Sequence, residues 1–129
     1  MNTPIDIKKR SYWKVDVFEF IWELDETNAD KTFTAIYSTI WDFTGKIIIF
    51  NLSGLKYLNS KSIWYIADIF SNIEDGNGQM YLTDMTDEVK DTLELVWITT
   101  IVETFSKEAE ALNKLWIVPP PVTPNITAN

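Results

Sequence analysis

The chain has 129 residues, enough for one domain that buries its own core. It contains no cysteine and no histidine, which excludes disulfide staples, Cys/His zinc sites and Ser-His-Asp triads. A net charge of −8, from 19 acidic and 11 basic residues, repels phosphate backbones and anionic lipid, and Lys8-Lys9-Arg10 is too short a basic block to reverse that.

No apolar run reaches the roughly 18–20 residues that a bilayer span needs. Residues 1–10 lack the apolar stretch of a signal peptide, so the expected compartment is the cytoplasm. Six tryptophans are many for a domain of this size, and at least one is expected to face a partner.

Residues 5–7 predict a short edge strand and residues 13–22 a longer one. In the second, Val15 and Val17 alternate with Lys14 and Asp16. The phase then shifts to Phe18, Phe20 and Trp22, which predicts a bulge. The polar Glu23-Leu24-Asp25-Glu26 turns the chain. Thr27 is the expected N-cap of a first helix, with Asp30 three residues on. Phe33, Ile36, Tyr37, Ile40 and Trp41 form the apolar stripe of that helix, and Gly45 ends the segment.

Residues 46–52 are a continuous apolar run, which predicts a central strand buried on both faces and broken at Ser53-Gly54. Asn59 or Ser60 caps a second helix, whose buried face is expected to carry Ile63, Ile66, Ala67 and Phe70. Asp75-Gly76-Asn77-Gly78 turns into a short strand over residues 79–83. Thr86 caps a third helix, with Asp87 and Glu88 at its positive end and Val89 and Leu93 facing inward. A strand over residues 100–104 follows. A last helix, capped by Ser106 and carrying Ala109, Leu112 and Leu115, closes a domain of residues 1–116. Residues 117–129 are rich in proline and predict an extended or disordered tail.

The order β-β-α-β-α-β-α-β-α predicts an α/β sandwich: a mostly parallel central sheet of four to five strands with four helices. Sites in such sheets lie at the carboxyl ends of the strands. Here that edge holds residues 23–27, 53–60, 84–86 and 105–106.

These residues resemble a STAS domain, the family of anti-sigma factor antagonists. Glu23-Leu24-Asp25 before a helix is similar to the family's Gly-Glu-Leu-Asp turn. Residues 47–58 resemble its apolar strand and lead-in. Asn59-Ser60-Lys61-Ser62 sits where the family has Asp-Ser-Ser-Gly, and residues 85–95 and 101–112 resemble its closing helix-strand-helix. The resemblance implies a module that binds a kinase-like anti-sigma partner and is phosphorylated by it on serine. That serine falls on Ser60 and the turn aspartate on Asp25. No cofactor is implied. The departures are Asn59 for aspartate, Ser62 for glycine, and tryptophan at three positions the family keeps small: Trp22, Trp64 and Trp97.

Ser60 has a plain role as a helix cap and, on the resemblance, a second role as a phosphorylation site. Asp25, with Glu23 and Glu26, forms a carboxylate cluster that can hold Mg²⁺ but is more often a solvated turn. Asp25, Asn59, Lys61, Ser62, Trp64 and Trp22 are the expected partner-binding residues; Trp64 lies one helical turn after Ser60 on the same face. No phosphate loop and no nucleophile–base pair is visible, so a binding module is expected rather than an enzyme. Two alternatives are an assembly subunit that has lost the switch, and a cytoplasmic accessory of a membrane transporter.

Overall fold

The computed structural model describes residues 5–115. Their order is β1 (Ile5–Tyr12), β2 (Val15–Leu24), α1 (Ala29–Ile40), β3 (Ile47–Leu58), α2 (Ser60–Asp75), β4 (Gln79–Thr83), α3 (Asp87–Leu95), α4 (Ile98–Ile101), β5 (Glu103–Phe105) and α5 (Glu108–Lys114). The strands form one sheet in chain order: β1 pairs antiparallel with β2, and β2 to β5 run parallel. This is the expected α/β sandwich, with one more short helix than the sequence suggested. The expected tail lies outside the described residues.

The two faces of the sheet are covered unequally. On one face Phe33, Ile36 and Ile40 of α1, Ile66, Ile69 and Ile73 of α2, and Val89 and Leu93 of α3 close over Phe18, Phe20, Ile48, Phe50, Leu52, Met80 and Leu82. On the other, Ala111 and Leu112 of α5 cover Val15, Val17, Ile49 and Tyr81. This two-sided burial explains the phase shift read in β2. Val15 and Val17 serve one core and Phe18 and Phe20 the other, so no extra residue is needed there.

The irregularities of β2 come later, between Glu19 and Ile21 and between Trp22 and Glu23, and at both of them β3 takes an extra residue. Ser53-Gly54 therefore does not break β3, which runs on to Leu58. At Gly54 an added Cβ would lie 3.0 Å from the Phe20 carbonyl oxygen. The missing side chain lets the bulged strand approach its neighbour.

Other boundaries also move. β1 extends to Tyr12, held by a full antiparallel register with β2. Trp13 falls in the turn between them rather than in β2. The N-cap of α1 is Asn28, not Thr27, whose N–H and hydroxyl both bond to the Asp25 carboxylate. Trp41 does not extend the stripe of α1; it ends the helix at φ 59 and points to solvent. The strand expected over residues 100–104 divides into α4 and β5. α5 starts after Lys107, whose N–H is held by the Glu110 carboxylate, and Ala109 is exposed.

A candidate docking site at the start of α2

The candidate site forms where β2 and β3 end together. The backbone N–H of Asn59 donates to the Leu24 carbonyl at 3.0 Å, so the turn after β2 lies beside the N-cap of α2. The Asn59 side chain accepts from the Ser62 N–H at 3.0 Å and from the Ser62 hydroxyl at 2.7 Å. Asparagine thus performs the N-cap role, satisfying an N–H that has no partner within the helix. Ser62 itself is fully buried. The expectation that it meets a partner is corrected: its hydroxyl anchors the cap from beneath.

Ser60 is exposed. It lines a shallow surface cavity of about 440 Å³ with Asp25, Glu26, Tyr57, Asn59 and Lys61. The fold therefore gathers Asp25, from the turn after β2, with Asn59, Ser60 and Lys61, from the start of α2, across an intervening helix and strand. Tyr57, half exposed, completes the rim. Sequence reasoning missed it, because β3 was expected to stop at Ser53-Gly54. Trp22 and Trp64 are exposed but are not among the residues that line this cavity.

The Asp25 turn is held by several hydrogen bonds. Besides holding Thr27, Asp25 receives the Ala29 N–H at its backbone carbonyl and donates its own N–H to the Asn28 side chain. Asn28 also donates to the Glu23 carbonyl. Among the described residues no cluster of three or more carboxylates is placed to hold a metal ion.

Lys61 reaches across to α1. Its ammonium donates to Asp30 at 2.9 Å, and the Tyr65 hydroxyl donates to the same carboxylate at 2.6 Å. The Tyr65 hydrogen bond, followed by that of Lys61, holds the Asp30 carboxyl below its usual range, and Asp30 in turn raises the Lys61 ammonium. Farther along the same seam, Tyr37 donates to Asp68. A second polar cluster braces the other face: Arg10 donates to both oxygens of Glu108, which also accepts from Asn51.

The chain matches the STAS domain model over residues 6–111 and belongs to that family. Its structure is similar to that of a putative anti-sigma factor antagonist from Thermotoga maritima. The two are 20% identical with a TM-score of 0.76, over 85% of this chain and 94% of that one. It is also similar to an anti-sigma factor antagonist from Mycobacterium paratuberculosis, at 16% identity and a TM-score of 0.77 over 88% and 95% of the two chains. A third similar structure is the Bacillus cell fate determinant SpoIIAA in its phosphorylated form, at 15% identity and a TM-score of 0.64 over 87% and 99%. At these identities the likeness establishes the fold. None of the curated proteins matches the chain. No helix among the described residues is long and apolar enough to cross a membrane.

Proposed function

We propose that this protein is a non-enzymatic regulatory module that docks a serine kinase of the anti-sigma class at the start of α2, and that phosphorylation of Ser60 by that partner releases it. The observation that carries this reading is the exposed Ser60 at the head of a 16-residue helix, in a shallow cavity shared with Asp25 and Lys61. The likeness to a protein solved in a phosphorylated form supports it.

A phosphate adds roughly −1.5 to −2 charge, and a helix N-terminus favours it. Asn59, unlike an aspartate, adds no like charge beside it. Asp25 and Glu26 on the same rim repel it, and Lys61 is the nearby cation, already shared with Asp30. A phosphate at Ser60 therefore competes for Lys61 and recharges the surface that the partner meets.

The test is retention of the kinase from lysate of the native cells on wild-type, Ser60→Ala and Ser60→Asp baits. Wild type and Ser60→Ala should retain it, and Ser60→Asp should retain about tenfold less or worse. Equal retention on all three baits rejects the switch.

A second reading, an assembly subunit, draws on the exposure of Trp13, Trp41, Trp64 and Trp97. A monomer by light scattering ends it.

A further inference from the structure

The aromatic residues divide in an unusual way. None of the seven phenylalanines is exposed, whereas all five described tryptophans are, between 42% and 84%. Tryptophan carries the larger apolar surface, so burial alone predicts the reverse.

The backbone supplies the reason. Among the described residues, six other than glycine have φ in the left-handed region. Two are Asn77 and Asp84, whose short polar side chains tolerate it. The other four are all tryptophan: Trp13 at φ 55, Trp22 at 97, Trp41 at 59 and Trp97 at 65. Only a few per cent of non-glycine residues occupy this region, yet four of the five described tryptophans do.

Trp22, at φ 97, lies beyond the left-handed well that L-residues enter at all. All four positions are ones that glycine serves: the turn between β1 and β2, the end of β2 where it faces the bulge of β3, the C-cap of α1 and the turn before α4. An indole has no side-chain chemistry that stabilises such a backbone. The anomaly follows one amino-acid type rather than one structural context, and that is the mark of a codon.

Tryptophan's standard codon is UGG. Its neighbour UGA is read as tryptophan in some genetic codes and as glycine in others. We propose that positions 13, 22, 41 and 97 are glycine in the protein its own cells make, each encoded by a UGA codon that those cells read as glycine.

The same decoding is expected at Trp64 and at Trp116, the latter outside the described residues. At position 64 it removes the ring one turn after Ser60. The surface beside the cavity then admits a partner close to the α2 backbone, and the exposed indoles that favour self-assembly disappear. That consequence rests on the docking reading; the decoding does not, and it stands or falls separately.

Two measurements test it. Peptide mass spectrometry of the protein from its native cells, read beside the gene, should show UGA codons and the glycine mass at positions 13, 22, 41 and 97. UGG codons, or the tryptophan mass, overturn the proposal. In a recombinant host, the variant with glycine at these four positions should melt about 5 °C or more above the tryptophan form. An equal or lower midpoint removes the strain on which the argument stands.

Discussion

The start of α2 and the turn at Trp97 both depart from the residues that the resemblance to a STAS domain implies, and the chain absorbs the two departures differently. At the start of α2, asparagine stands where the resemblance implies aspartate, and serine where it implies glycine. The asparagine oxygen accepts two hydrogen bonds, and the buried serine hydroxyl supplies one of them. At Trp97 the backbone stays at φ 65 and the ring points into solvent. Exchange of one hydrogen-bonding side chain for another is accommodated locally. A Cβ in the left-handed region cannot be, because the clash is with the residue's own backbone.

The largest effect should come from removing the cap. Asn59→Ala deprives both the Ser62 N–H and its buried hydroxyl of their acceptor, and should cost about 2 kcal/mol in urea denaturation. Asn59→Asp keeps the acceptor and should leave the fold close to wild type. If Asn59→Ala is also neutral, the local compensation described for this end of the comparison is wrong.

The other end should respond with the opposite sign. Trp97→Gly relieves a left-handed side chain, gives back some chain entropy, and should stabilise by about 1 kcal/mol in the same assay. Few substitutions of a large residue by glycine raise stability, so the sign alone is informative.

Acid stability offers a third test, on the face away from both. Burial pushes the Glu108 carboxyl up, but hydrogen bonds from Arg10 and Asn51 outweigh it and leave the group below its ordinary value of 4.5. Its folded pKa is the lower one, so its contribution is present above that value and is lost as pH falls through and below it. The wild-type unfolding midpoint should drop in that range, and Glu108→Gln should flatten the drop.

The smallest effect belongs to Lys61→Ala. Its pairing with Asp30 is solvent-exposed on both sides, and the folding midpoint should not move measurably. Any change should appear in partner binding.

Much of this was legible in the chain. β4, the Thr86 cap with its acidic first turn, and the Asn59 cap are local features whose signals span a few residues, and they sit where the sequence placed them. The errors arose where a local signal was overruled. Ser53-Gly54 reads as a breaker, yet β2 holds that segment in the sheet. Thr27 reads as a cap, yet Asp25 takes its hydroxyl. Ser62 reads as a surface residue beside Ser60, yet the helix turns it inward.

By itself the sequence determined the alternation of strands and helices, the acidic surface, the absence of thiol and imidazole chemistry, and the order of motifs that marks a STAS domain. Those properties depend on composition and on periods of a few residues. Only the tertiary structure decided that Asp25 and Ser60 share one cavity, that β3 bulges past β2, and which backbones turn left-handed. The first two depend on pairing between segments far apart in the chain, where register and close approach, rather than local preference, set the geometry.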